Sequence, residues 1–199
     1  MSVIRLSTGG LFLHSPVRLN EVIGEWLAGL GEVKYVAAPN RFHHIHIGDY
    51  MRAYPGARFF AAPGLKEKRR DVIFTGLLGE NTPSEWEGDI EHFVFGGMPL
   101  LNEAVFLHRP SRTLILTDLL SNFSEHLTIR QKVFAMLEGV RGRPSVSLLM
   151  RYFLIRDEAA VRESADRVLA WDFDRVILAH KDIIENGGKE AFRLAYEEF

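Results

Sequence analysis

Cysteine is absent from the 199 residues. That single absence removes disulfides, thiolate metal ligands and a cysteine nucleophile together, and leaves the redox compartment unspecified. An excess of positive charge is also lacking. Lys and Arg number 24 against 26 Asp and Glu, a formal charge of −2, so the electrostatic footprint of a nucleic-acid binder is missing. The longest apolar stretch, Val146 to Ile155, is interrupted by Ser147 and Arg151 and is too short to span a bilayer. The first residues carry one basic side chain, Arg5, ahead of short apolar runs, without the long apolar core of a signal peptide. These absences predict a chain with no membrane segment and a cytoplasmic setting. There is no Gly-x-Ser-x-Gly elbow, no Gly-x-Gly-x-x-Gly turn and no Gly-Lys-Ser/Thr loop, which disfavours a serine hydrolase elbow, a dinucleotide site and a P-loop.

What is present is a large apolar fraction, 47%, enough for a full core in one domain spanning residues 1–199. Strand and helix signals alternate along it. Val3–Leu6 and Leu11–His14 flank Gly9-Gly10 as a hairpin. The stripe Val22, Ile23, Trp26, Leu27 and Leu30 predicts a helix from Asn20 to a stop at Gly31. Val33–Ala37, Arg58–Ala61, Val72–Thr75, Ile90–Phe95 and Arg175–Ala179 read as strands. Ile45 to Tyr54 reads as a helix closed by Pro55-Gly56. Ala104–His108 and Thr113–Thr117 form a hairpin over Arg109-Pro110-Ser111-Arg112. From Thr128 to Leu169 the pattern is helical, with Thr128 or Asp157 as caps, and a last helix covers Lys189 to Phe199. Lys66, Lys68, Arg69 and Arg70 read as a solvated helix face. Strands interleaved with helices and hairpins predict an α/β (α+β) protein: two mixed sheets between helices, a four-layer αββα sandwich.

Three distant segments carry the chemistry: Asn40-Arg41-Phe42-His43-His44-Ile45-His46, Leu114-Ile115-Leu116-Thr117-Asp118 and Val176-Ile177-Leu178-Ala179-His180. Each follows or ends a strand-like run and carries residues able to bind a divalent cation. Strand ends joined to loops are where α/β scaffolds assemble sites. The pattern therefore predicts a metal site of His43, His44, Asp118 and His180.

The order of strand, His-rich loop, helix, strand, Pro-Gly, a hairpin ending in Thr117-Asp118-Leu119-Leu120 and a late strand ending in His180 resembles the metallo-β-lactamase-like hydrolase superfamily. Within it, the chain most resembles a branch known only as a domain of unknown function. The resemblance implies the four-layer fold and a metal-dependent hydrolase. The superfamily's His-x-His-x-Asp-His loop falls on Pro39, Arg41, His43 and His44, and the His of its third loop falls on or near Pro99. Its bridging Asp matches Asp118 and its final His matches His180. One of the superfamily's two metal positions is thus stripped of ligands, at Pro39, Arg41 and Pro99. The other keeps His43, His44, Asp118 and His180, with His43 in place of an acid.

Imidazoles and a carboxylate suit zinc, iron or manganese, so a single divalent ion is expected, with Asp118 as the residue whose loss stops catalysis. Neutral His43 in place of an anion raises the site charge by about one unit and makes the ion a stronger Lewis acid. Four protein ligands already complete tetrahedral zinc, whereas catalytic zinc keeps an open position; a saturated site would be structural. Arg41 either binds a carboxylate or phosphate oxygen of a small anionic substrate or pairs with a nearby acid on the surface. Glu103 either orients a ligand His from behind, acts as a base, or simply enters its strand. His14 and His46 could join the pocket or be structural; His108 reads as structural, and His92 and His126 as surface residues. Two function classes follow: a metal-dependent hydrolase of an ester, amide or phosphoester, and a non-catalytic relative keeping one ion for stability or ligand sensing. The sequence leaves substrate and oligomeric state open.

Overall fold

The structure is a computed structural model that describes residues 1–79, 83–122, 143–179, 182–197 and 199. His180, His126 and the expected start of a helix at Thr128 lie outside the described residues. The strands form two mixed sheets and helices flank them. By internal contacts the chain divides into two compact units, Met1–Val94 and Phe95–Phe199. Among the described residues no helix is long and apolar enough to cross a membrane.

The first unit is built on a five-stranded sheet: β1 (Ser2–Arg5), β2 (Leu11–His14), β3 (Val33–Ala38), β4 (Arg58–Ala61) and β5 (Gly76–Leu77), in that spatial order. β1 and β2 are the expected antiparallel hairpin, and β2 through β5 run parallel. Parallel neighbours need crossovers, which helices supply. The first is α1 (Glu21–Leu30), where the Asn20 side chain accepts from the Ile23 amide as an N-cap and Leu27 is wholly buried. The second is the short α2 (Ile47–Ala53), burying Ile47 and Tyr50. Leu11, Leu13, Val36, Leu27, Ile47, Tyr50, Phe59 and Leu65 form one core. On another side Trp86, in α4 (Ser84–Glu87), packs its fully buried indole against Phe12, Tyr35 and Phe60, with centroids 4.6, 5.1 and 4.8 Å away. α3 (Leu65–Lys68) and β6 (Ile90–Val94) complete the unit.

The expected strand at Val72–Thr75 is not a strand. Val72 and Phe74 are buried and Ile73 is 81% exposed, so the alternation is real, but the backbone bends there. The Thr75 amide and hydroxyl each bond to Phe59, and sheet pairing begins only at Gly76.

In the second unit β7 (Ala104–His108) and β8 (Thr113–Ile115) are the expected antiparallel hairpin, in register Phe106 with Ile115 and His108 with Thr113. β9 (Arg175–Ile177) runs parallel to β8. The crossover holds a π-helical turn at Met150–Leu154 and α5 (Glu158–Leu169), capped by Asp157, whose carboxylate accepts from the Ala160 amide. α6 (Gly188–Tyr196) follows β9. His108 bonds through Nδ1 to the Ser111 hydroxyl at 2.7 Å, inside the hairpin turn.

Candidate metal centre

The parallel strands of the first unit end together. His14 pairs with Ala37, and Ala38 with Ala61, so β2, β3 and β4 all deliver their C-terminal ends to one edge. Loops at such an edge are where open α/β sheets bind ligands. The loop after β3 is held there by Asn40. Its buried side-chain oxygen accepts the amides of Phe42 at 2.8 Å and His43 at 2.7 Å, an Asx turn that fixes the backbone on which both histidines ride.

His43 and His44 are adjacent yet differently engaged. The Nδ1 of His43 lies 2.9 Å from the hydroxyl of Ser15, the residue after β2, which sits at φ +53°. A hydroxyl both donates and accepts, so this pair admits the tautomer with Nδ1–H facing Ser15 and an unprotonated Nε2, the form that ligates a cation. His44 is 8% exposed, and its Nδ1 lies 3.0 Å from Arg69 Nη1, which also donates to the His44 carbonyl at 2.8 Å. Asp71 holds that guanidinium with two bonds, 2.8 Å to Nε and 2.7 Å to Nη2. Burial lowers the pKa of His44, and the charges of Lys68 and Arg69 lower it further. The Arg69 bond pulls the Asp71 carboxyl down to about 2. The reading of Arg69 as a solvated helix face is therefore corrected: it is the C-cap of α3 and braces the histidine loop.

Arg41 is half-buried. A Cβ on Gly64, at φ +77°, would meet its Nε at 3.6 Å, and its carbonyl accepts from Lys68 Nζ at 2.7 Å. That ammonium also lies over the Phe42 ring, 5.8 Å from its centroid. His46 precedes α2 and faces Asp49, 3.6 Å away.

His14 is 2% exposed. Burial, then the N-terminal charge, then His43 push its pKa down to about 3. A folded-state pKa below the unfolded value of about 6.5 means that the unfolded chain binds the extra proton. The stabilisation is therefore complete above pH 6.5 and is lost as pH falls toward 3. Between pH 6.5 and 4.5 this group alone should cost about 2 kcal/mol of stability. Urea unfolding at the two pH values measures the loss, and His14→Gln should lose correspondingly less. Equal acid sensitivity in both proteins would refute the assignment.

In the second unit Asp118 follows β8 and is half-buried. Glu103 is wholly buried, and its two carboxylate oxygens accept the backbone amides of Thr117 at 2.6 Å and Asp118 at 2.9 Å. Burial raises the Glu103 pKa, and the Asp118 carboxylate adds to the rise. Glu103 thus holds the backbone of the Asp118 segment. Beside it, the Ala179 amide reaches the Thr117 carbonyl at 3.4 Å and the Leu116 amide reaches Ile177 at 2.8 Å, so the ends of β8 and β9 lie side by side. His180 is next in sequence.

Among the described residues no three His, Cys, Asp or Glu side chains gather as a group that could hold an ion. Judged by local chemistry, the hydrogen bonds of His43 and the half-buried carboxylate of Asp118 suit a divalent cation. The bond from Arg69 to His44 does not.

Sequence reasoning missed Ser15, Arg69 and Asp71. Ser15 carries no motif, and the spacing of Arg69 and Asp71 is indistinguishable from any surface ion pair. Asn40, three residues before His43, was the one available signal, since Asx turns span that distance.

No curated protein matches the sequence. Among solved structures, the DIM-1 metallo-β-lactamase is similar with a TM-score of 0.64 and 13% identity, over 98% of this chain and 85% of that one. A metallo-β-lactamase from Pontibacter korlensis gives 0.65 and 10%, over 99% and 86%. A metal-soaked Flv1 flavodiiron core from Synechocystis gives 0.61 and 15%, over 98% and 51%. At these identities the likeness establishes the fold, the expected α/β arrangement of two mixed sheets flanked by helices. Residues 1–132 match the family described as Domain of unknown function (DUF4336), and the chain belongs to that family.

Proposed function

We propose that this protein is a metal-dependent hydrolase with one divalent ion, acting on an ester, amide or phosphoester of a small anionic molecule. The observation that carries the reading is His43. Its Nδ1 faces a hydroxyl that can accept a hydrogen bond from the ring N–H, and its backbone is fixed by a buried asparagine. Metal-ligating histidines are oriented in this way by a partner on the other nitrogen. Asp118, its backbone anchored by Glu103, and His180, which follows β9, supply the remaining ligands common to the reading. When bound, a zinc, iron or manganese ion would act as a Lewis acid toward water and the scissile bond. Arg41 presents a guanidinium suited to binding a carboxylate or phosphate oxygen bidentately.

Protein purified from medium supplemented with zinc and manganese should carry about one ion per chain, because Pro39, Arg41 and Pro99 leave the second position of the fold without side-chain ligands. His43→Ala should lose that ion together with hydrolysis of aryl ester and phosphoester substrates. Elemental analysis near two ions per chain would contradict the reading, as would activity that survives complete removal of metal. An ion that is bound, stabilising and without any hydrolytic consequence would instead favour a non-catalytic relative.

A further inference from the structure

We infer that the first unit carries a docking surface for an anionic lipid bilayer, formed by the histidine loop, α3 and the bend that follows it. The surface lies within residues 41–73 and depends on no bound ion, so it stands apart from the hydrolase reading.

Three large apolar side chains project there: Phe42 is 49% exposed, Ile45 70% and Ile73 81%. Exposed apolar residues scattered singly are ordinary, but these stand among cations that touch the same stretch of backbone. Lys68 Nζ lies 5.8 Å from the Phe42 ring centroid and donates to the Arg41 carbonyl. Arg69 Nη1 reaches the Ile45 carbonyl at 3.4 Å, and the Arg69 carbonyl accepts the amide of Val72, the residue before Ile73. These contacts tie the loop, α3 and the bend into one patch of a single compact unit.

The charge of the patch departs from that of the chain. Residues 41–46 and 64–73 hold five Lys or Arg against two acids, Glu67 and Asp71, in a chain of net charge −2. Asp71 is committed to Arg69. Among the described residues Lys66, Lys68 and Arg70 form no ion pair, so their charges remain for a partner. Each Lys or Arg at an anionic lipid surface strengthens binding about fivefold.

The apolar groups select the partner. A side chain lining a peptide groove is covered in part by the opposite wall, whereas Ile45 and Ile73 keep most of their surface in water. Side chains that protrude so far are buried only by entering the partner. The headgroup zone of a bilayer admits them and sets phosphates around the cations. Nucleic acid also offers phosphates, but its bases stack on aromatic faces, and two of the three projecting groups are isoleucine. An acidic peptide supplies the charge without a yielding apolar interior.

The test uses the full chain with vesicles of phosphatidylcholine, alone or with about one third phosphatidylserine. Co-sedimentation should be about tenfold stronger, or more, with the serine lipid, and should fall as salt is raised. Joint substitution Lys66→Ala and Arg70→Ala should weaken it by about twentyfold. Ile73→Ser should weaken it by about tenfold. Both variants should keep the wild-type urea midpoint, since all three side chains are exposed. Because the chain has no cysteine, Ile73→Cys carrying an environment-sensitive dye reports insertion directly. Its emission should brighten on the anionic vesicles, while the same dye on Thr8→Cys, in the turn between β1 and β2, should not. Equal binding to both vesicle types, no binding to either, or binding without brightening at residue 73 overturns the inference. So does a chain that ignores vesicles yet holds poly-glutamate, which would make the patch a site for an acidic protein segment. Each of these results leaves the hydrolase reading standing.

Discussion

Glu103→Ala is expected to destabilise the protein by about 3 kcal/mol, because it removes the acceptor from two amides at once and one of them, at Thr117, is buried. Each hydrogen bond to a charged partner contributes about 1.5–3 kcal/mol, offset in part by relief of the buried carboxylate's own desolvation. The functional loss should exceed the stability loss, since the residue after Thr117 is the proposed ligand Asp118. Glu103→Gln keeps one acceptor oxygen but turns an amide toward the second N–H, so it should recover about half. Urea midpoints give the first effect, and zinc content of the folded fraction gives the second. A Glu103→Ala protein with wild-type midpoint and zinc content would show that the carboxylate is a passive strand-entry residue.

Gly97→Ala should be costlier, at about 4 kcal/mol. Gly97 adopts φ +80°, which costs an L-residue about 1–2 kcal/mol. A Cβ there would run into the carbonyl of Asp157 and lie 2.6 Å from Val161 Cγ2, adding about 1–3 kcal/mol for overpacking at the start of α5. The Gly97 carbonyl accepts the Arg156 and Asp157 amides, and the Gly96 amide donates to the Ser164 hydroxyl, so a shift would disturb the cap of that helix. The Gly96-Gly97 loop is thus packed closely against α5. Thermal unfolding of Gly97→Ala measures the cost; a change under about 1 kcal/mol would mean that the loop yields freely.

How legible the sequence was depended on whether a local pattern and a tertiary contact agreed. The first helix was readable because Asn20 caps it and Gly31 ends it within one amphipathic stripe. The β7–β8 hairpin was readable from its turn. The expected strand through Thr117 stops at Ile115 instead, because the Thr117 amide is taken by a glutamate rather than a neighbouring strand. The helix expected from Ile45 begins at Ile47; before it the His44 carbonyl accepts both Arg69 and the Ile47 amide, closing a tight three-residue turn in place of an α-helical one. In the candidate site, the identity of the metal-capable residues was legible as residue types at strand ends. Their hydrogen-bonding states were not. A tautomer depends on which atom of a distant side chain faces the ring, and no spacing rule relates Ser15 to His43 or Arg69 to His44.

The turn at Asn40 also governs how this protein ages. Asparagine deamidates when the next backbone nitrogen attacks its side-chain carbonyl carbon, which requires that side chain to swing toward residue 41. Here its oxygen is held by two amides in a fully buried position, so the swing would break both bonds without water to replace them. Were it to happen, the resulting succinimide would open mainly to isoaspartate, which adds a methylene to the main chain and would pull the Phe42 and His43 amides out of the turn. The two buried bonds at Asn40 therefore guard the position of His43 against slow chemical damage.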